Sequence, residues 1–154
     1  MDDQSKTAEI ARKALLHIYN STVVGSINSI AMIVGIKDVN SLKNPRFGDL
    51  RAAYEALGKE GRREFYGAIA AIAEFAVYSV LDFVETYSRF DSEENEEEYP
   101  RLTLTYDTVE LEGVQATTLS EFGSENLGRL FKEIARNDEV RALVDSVIDQ
   151  QAQR

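Results

Sequence analysis

Three side chains that can take part in acid–base chemistry or polar binding, Glu74, Tyr78 and Asp82, recur at intervals of four residues. In an α-helix this spacing places them on one face. The two carboxylates are eight residues apart, however, which is about 12 Å along a helix axis. That distance is too long for two acids sharing a proton and long even for an inverting glycosidase pair. The pattern therefore predicts a polar seam on a helix; a small ligand-binding cleft is the alternative, and a second helix would have to supply any reacting group.

His17 is the single histidine, and Ser21 follows it one helical turn later. A nucleophile–base contact between them is geometrically possible, but the acid that orients the base would have to come from elsewhere in the chain. The sequence also lacks the G-x-S-x-G turn that presents a nucleophilic serine. We therefore predict no catalytic residue and favour a protein that is not an enzyme.

Metal and cofactor sites find little support. The chain has no cysteine and one histidine, which leaves carboxylates as the available metal ligands. Residues 91–98, DSEENEEE, lack the glycine and the alternating spacing of a calcium loop. Neither a G-x-x-x-x-G-K-[ST] nor a G-x-G-x-x-G motif is present. We predict no metal and no cofactor.

The net charge of -10 is concentrated in residues 91–154, because residues 1–90 contain as many basic as acidic side chains. Such a field repels phosphate backbones and attracts basic surfaces, so nucleic acid is an unlikely partner. We predict that the acidic residues bind a protein partner with a basic surface. The predicted partner-binding residues are Glu93, Glu94, Glu96, Glu97, Glu98, Asp107, Glu110 and Glu112.

Residues 43–63 form a contrasting basic stretch, from which we predict a patch made by Arg46, Arg51, Arg62 and Arg63. Arg46 and the adjacent Phe47 are a pair that can contact phosphate and stack on a base. An intramolecular charge match, or one between two copies in a homodimer, is the simpler explanation beside so acidic a C-terminal half.

The hydrophobic periodicity predicts a mostly helical chain with one β-hairpin. Alternation in RLTLTY and the following VELEGVQATTL indicates the strands, with Glu112-Gly113 as the favoured turn and Asp107-Thr108 as the alternative. The predicted elements are helices over 6–23, 23–36 (a second helix or a continuation of the first), 49–57 and about 60–87, the hairpin over about 101–119, and two C-terminal helices with Ser124 and Asp138 as N-caps.

The helix predicted over about 60–87 contains the longest apolar run, GAIAAIAEFAVYSVLDFV at residues 67–84. Glu74 and Asp82 interrupt the run, and each charge at mid-bilayer costs at least about 2.5 kcal/mol, so we predict no membrane span. Apolar side chains occupy most of the helix circumference, which predicts that the helix is the buried centre of the core. These side chains are Phe65, Ile69, Ile72, Phe75, Ala76, Val77, Val80, Leu81, Phe83 and Val84.

Together these patterns predict one domain over residues 1–154, α+β in class and predominantly helical, with residues 91–98 as an acidic loop between the central helix and the hairpin. The N-terminal segment has no apolar leader, so a cytoplasmic location is expected. The predicted function is that of a small acidic, non-enzymatic interaction module, such as an inhibitor or immunity-type protein. The alternative is a homo-oligomeric structural or small-ligand-binding protein with a polar cleft along the central helix.

Overall fold

The computed structural model describes residues 3–38, 43–89, 105–106, 109–110 and 127–154, and the side chains within 9–38, 43–83 and 127–154. Helices account for nearly all of these residues. The elements in chain order are α1 (Asp3–Tyr19), a π-helical turn (Asn20–Val24), α2 (Gly25–Val34), α3 (Pro45–Glu55), α4 (Lys59–Arg89), β1 (Thr105–Tyr106), β2 (Val109–Glu110), α5 (Leu127–Arg136) and α6 (Asp138–Ala152).

The predicted α+β class, with a hairpin over about 101–119, is wrong, whereas the predominantly helical character is confirmed. Extended structure among the described residues is limited to two residue pairs, Thr105 with Glu110 and Tyr106 with Val109. Two pairs form no layer that could cover a helix face, so the described core contains helices alone. The predicted turn residues, Glu112-Gly113 and the alternative Asp107-Thr108, lie outside the described residues.

Asparagine side chains set the start of two helices. Asn44 Oδ1 accepts a hydrogen bond from the backbone N–H of Arg46 at 3.1 Å, and Pro45 occupies the first helical position. This cap begins α3 four residues before the predicted start at residue 49. Asn137 Oδ1 caps α6 by accepting from Glu139 and Val140, so the cap lies one residue before the predicted Asp138. The predicted cap Ser124 lies outside the described residues.

By their packing the residues form two compact units, which we describe separately. Unit 1 comprises Met1–Tyr19 and Phe75–Arg136, and unit 2 comprises Asn20–Glu74 and Asn137–Arg154. The prediction that residues 1–154 make one domain, with 91–98 as an acidic loop, stays a prediction.

The core of unit 1 is the contact between α1 and α5. Its central pair is Tyr19 and Phe131, both about 1% exposed, with ring centroids 5.6 Å apart. Burying two aromatic side chains supplies more apolar area than any other pair of residue types. The remaining buried side chains of these two helices are Ala11, Ala14, Leu15, Leu127 and Leu130.

The core of unit 2 lies between α2, the π-helical turn, α3 and α6. An aromatic cluster of Tyr54, Phe65 and Tyr66 joins α3 to the beginning of α4, with centroid distances of 5.3–5.6 Å. Gln151 Nε2 donates to Asn28 Oδ1 at 3.0 Å and so links α6 to α2. α1 continues through the π-helical turn directly into α2. Of the two predicted alternatives for residues 23–36, this is the continuation of the first helix.

The α4 helix runs close to its predicted limits of 60 and 87, but its predicted burial is wrong. Among the described side chains of α4, the buried ones are Tyr66, Ala70 and Leu81. Most of the apolar circumference that we expected to lie in the core faces solvent instead. Apolar periodicity specifies which side chains favour leaving water, but it does not specify that an element of the same chain covers them.

Candidate functional site

The side of α4 opposite its buried residues carries a continuous apolar surface. Its four large side chains, Ile72, Phe75, Val80 and Phe83, are 65%, 71%, 61% and 45% exposed. Small exposed residues separate them, and Ser79 Oγ donates to the Phe75 carbonyl oxygen at 2.9 Å, so that hydroxyl is satisfied by its own helix. We define the α4 face as Ala68, Ile72, Phe75, Ala76, Ser79, Val80 and Phe83.

The α4 face is uncharged over most of the helix. Between Glu64 and Asp82 the sequence contains one charged residue, Glu74. Glu74 lies about 160° around the helix from Ile72 and is half-buried. The face therefore presents about 25 Å of helix without a charge. By length and composition, Lys59–Phe83 passes as a membrane-spanning helix, with a mean hydropathy of 1.4 over a window that is 17% buried. A single such helix is weak evidence for a membrane, because the core helices of soluble proteins pass the same test.

The three residues of the predicted polar seam, Glu74, Tyr78 and Asp82, differ in burial. Glu74 is half-buried, and Tyr78 is half-buried with Lys132 Nζ 3.8 Å from its ring centroid. This cation–π contact covers one face of the ring. Asp82, one turn further along, is exposed. The Lys132 contact occupies a surface that a ligand would need, and the predicted cleft stays a prediction.

The four residues of the predicted basic patch hold separate positions. Arg46 is exposed in the first turn of α3. Arg51 Nε donates to Glu55 Oε1 at 2.7 Å, and its Nη1 donates to the carbonyl oxygens of Ile36 and Lys37. Arg51 and Arg63 form ion pairs inside unit 2, whereas the Arg62 guanidinium lies over the Tyr54 ring and its buried Nε has no hydrogen-bond partner among the described residues.

Arg62 and Arg63 contact other side chains of unit 2. The Arg62 guanidinium carbon lies 4.9 Å from the Tyr54 ring centroid. Arg63 Nε donates to Asp149 Oδ1 at 2.8 Å, and its Nη2 lies 4.0 Å from Asp145 Oδ1. The Asp149 carboxylate raises the pKa of Arg63. Part of the acidic C-terminal segment is thus matched within the chain.

Of the predicted acidic partner-binding residues, Glu110 is described as the pairing partner of Thr105 in β2. The other seven lie outside the described residues: Glu93, Glu94, Glu96, Glu97, Glu98, Asp107 and Glu112.

An open cleft of about 340 Å³ lies at the start of α4 in unit 2, where Lys59, Glu60, Arg63 and Asp149 line it with the end of α6. The Arg63–Asp149 ion pair joins two of the four charged side chains that line this cleft, and the described lining holds no nucleophile beside a base. No group of three histidine or acidic residues able to hold a metal occurs within the described part of the chain.

The α4 face is the feature that the sequence analysis missed. Apolar residues recur around a helix in the same way whether or not another element of the chain covers them, so this pattern does not distinguish a buried helix from an exposed apolar face. Comparison with protein-family models, with curated proteins and with solved structures gives no match to this chain.

Proposed function

We propose that this protein is a non-enzymatic interaction module that works as a homodimer, with the α4 face as the dimer interface. The observation that carries the proposal is the exposure of Ile72, Phe75 and Val80, each more than half accessible, on one side of a single helix. A contiguous apolar surface of this kind marks an interaction site, because exposing it to water costs free energy in proportion to its area.

The available area fits a second copy. Four large side chains at these exposures present on the order of 400 Å² per copy. Two copies together therefore remove roughly 800 Å² from water before the small residues are counted, which approaches the roughly 1,000 Å² of a specific interface. Such an interface lies at the lower limit of size for a specific dimer, so its stability depends on close packing more than on area.

A lipid bilayer is a less suitable occupant. The same helix carries the half-buried Glu74 at its middle, and the exposed Asp82 lies at one end of the α4 face. Each would have to leave water or distort the bilayer if the helix inserted. A helix of a second copy covers the face without moving either carboxylate into hydrocarbon.

Sedimentation velocity over a wide concentration range tests the proposal. The unmodified protein is expected to change from monomer to dimer with rising concentration, and Phe75→Glu is expected to remain a monomer because it places a charge in the interface. Met32→Glu is the matched control, since Met32 is 67% exposed on α2 and off the α4 face. It is expected to dimerise like the unmodified protein.

Two results would reject the homodimer. One is a monomer at every concentration with the unmodified chain folded, which would assign the face to another occupant. The other is equal dimerisation of Phe75→Glu and the unmodified protein. Binding of the unmodified monomer to neutral phosphatidylcholine vesicles, lost in Phe75→Glu, would assign the face to lipid.

The charge asymmetry supports a second role, the binding of a basic protein partner by the acidic C-terminal half. Exposed acids of α6, such as Asp138 and Glu139, add to the net charge that residues 91–154 carry. Charge-driven association weakens as salt screens it, whereas the uncharged α4 face predicts a dimer that added salt does not weaken. Replacing Glu93, Glu94, Glu96, Glu97 and Glu98 by glutamine is expected to abolish salt-sensitive capture of a partner from lysate. Unchanged capture would remove the acidic residues from this role.

A further inference from the structure

We propose that a second cleft at the start of α4 binds a phosphoryl group between Lys59 and Arg62. This cleft lies wholly within unit 2 and has a volume of about 590 Å³, which is in the range of small-molecule sites. It does not involve the α4 face, so it is independent of the homodimer. We define the basic cleft by its lining residues, which are Leu57, Gly58, Lys59, Arg62, Ala152 and Gln153.

The basic cleft differs in charge from the cleft of about 340 Å³ beside it. Glu60 and Asp149 line that neighbour, where they balance the charges of Lys59 and Arg63. The basic cleft is lined by Lys59 and Arg62 and by no acidic residue. Charges act mainly within a Debye length of about 8 Å. Two local positive charges therefore favour an anion at this site even though the chain has a net charge of -10.

Arg62 has the hydrogen-bond donors that a phosphoryl group requires. Its guanidinium carbon lies 4.9 Å from the Tyr54 ring centroid, a contact that orients the side chain without using its N–H groups. Among the described residues no acceptor pairs with this guanidinium, and its Nε is buried. A buried donor without an acceptor is uncommon in native proteins because it costs free energy. A ligand that supplies acceptor oxygens would remove part of this cost, and a guanidinium can bind such oxygens in pairs.

Lys59 supplies the second charge. It lies one helical turn before Arg62, so the two side chains share one side of α4, where like charges repel each other. Lys59 is exposed and has no ion pair among the described residues. An anion between the two cations replaces their repulsion by attraction. A phosphoryl group carries a charge of about -1.5 to -2 near neutral pH, which matches both cations, whereas a carboxylate matches one.

The remaining lining residues fit a ligand larger than the free ion. Gln153, which follows α6, is exposed and brings an amide that can donate to a phosphoryl oxygen. Leu57 and Ala152 bring apolar surface that an organic substituent would contact. A phosphate monoester is therefore expected to bind more tightly than inorganic phosphate. Equal affinity for both would mean that the basic cleft takes the free ion.

Isothermal titration calorimetry with inorganic phosphate and with phenyl phosphate tests the proposal, in an amine buffer of low ionic strength. Two charge-assisted contacts are expected to give phenyl phosphate a dissociation constant of about 1 mM or below. Lys59→Gln and Arg62→Gln are each expected to weaken binding about tenfold or more, because each removes one of these contacts. Arg46→Gln is the matched control, since Arg46 is exposed in unit 2 and lies outside the basic cleft. It is expected to bind like the unmodified protein.

Gly58 offers a pair of variants that separates charge from folding. Its carbonyl oxygen accepts a hydrogen bond from the Arg62 backbone N–H at 2.9 Å, which places Gly58 at the N-cap of α4. A Cβ at Gly58 meets nothing within 4 Å. Aspartate and asparagine are similar in size and are both favoured at an N-cap, so Gly58→Asp and Gly58→Asn are both expected to fold. Gly58→Asp puts a carboxylate into the basic cleft and is expected to lose phosphate binding, whereas Gly58→Asn is expected to keep it.

The proposal is overturned if neither probe binds the folded, unmodified protein at concentrations up to about 10 mM. It is also overturned if Lys59→Gln and Arg62→Gln bind phenyl phosphate as tightly as the unmodified protein, because the anion would then lie elsewhere. Equal affinities of Gly58→Asp and Gly58→Asn would exclude the basic cleft in the same way. Weaker binding by Gly58→Asp than by Gly58→Asn, with equal melting temperatures, would support it.

Discussion

Phe75 and Phe131 carry the same side chain in opposite settings. Phe131 is 1% exposed in unit 1, where its ring contacts Tyr19, whereas Phe75 is 71% exposed on the α4 face. The same change to alanine therefore separates the packing within a chain from the packing between copies. We expect Phe131→Ala to destabilise the folded chain and Phe75→Ala to weaken the dimer.

The magnitudes follow from the exposures. Truncating a buried phenylalanine to alanine costs about 3–5 kcal/mol of folding free energy, which applies to Phe131. Phe75 loses almost no contact within its own chain, so its effect on monomer stability is within about 0.5 kcal/mol. In the dimer the substitution removes on the order of 100 Å² of buried area per copy, or about 2.5 kcal/mol per copy. Two copies then raise the dimer dissociation constant by roughly three to four orders of magnitude.

Urea unfolding at several protein concentrations distinguishes the two effects. The midpoint of a dimer rises with protein concentration, because association stabilises the folded state by mass action. Phe131→Ala is expected to lower the midpoint at every concentration and to keep its concentration dependence. Phe75→Ala is expected to remove the concentration dependence and to leave the low-concentration midpoint unchanged.

Two results would contradict these expectations for Phe75 and Phe131. A loss of 3 kcal/mol or more in the folding free energy of the Phe75→Ala monomer would mean that Phe75 is covered by its own chain. A Phe131→Ala variant as stable as the unmodified protein would mean that the α1–α5 contact does not hold unit 1 together.

Three further predictions concern single residues. Gly67→Ala is expected to raise the free energy of unfolding by about 1 kcal/mol, because a Cβ there meets nothing within 4 Å and alanine favours the helix. Thermal unfolding measures the change, and a lower melting temperature would contradict the open space around Gly67. Asn137→Ala is expected to lose about 1 kcal/mol with the N-cap of α6, and Asn137→Asp, which keeps an acceptor, is expected to lose little; equal losses would exclude the cap as the cause. Burial, followed by a hydrogen bond with Tyr54, raises the pKa of Tyr66, so the unfolded chain ionises first and stability is expected to fall as the pH rises beyond about 10. In urea unfolding, Tyr66→Phe is expected to reduce that alkaline loss, and an unchanged loss would assign it to other groups.

The helices could be predicted from sequence because their signals are local. The extent of α4 follows from apolar periodicity over residues 60–87, and the predicted cap of α6, Asp138, lies one residue from the observed cap Asn137. The predicted start of α3 at residue 49 is too late, because Asn and Pro are also frequent in turns and do not by themselves indicate a helix start. The same pair also starts a helix when proline occupies the first helical position.

The fold class and the exposure of α4 could not be predicted in this way, because both depend on contacts between residues that are far apart in the sequence. Alternation in residues 101–106 predicts a strand only if a partner strand and a covering helix are available, and the described structure has two residue pairs there. The exposed side of α4 was misjudged for a similar reason. Hydrophobic periodicity gives the direction of an apolar face, and the packing of the other helices decides whether that face becomes core or surface.

The π-helical turn at Asn20–Val24 follows α1 directly and changes the angular spacing of the side chains after it. The buried residues Leu15, Tyr19, Val23 and Ile27 follow one another at steps of four, and each such step in an α-helix rotates the side chain by about 40°. A π-helical turn takes more residues per turn, so it counteracts this rotation. Such a turn is an α-helix lengthened by one residue. The wider turn therefore accommodates one residue more than a regular α-helix would over the same stretch.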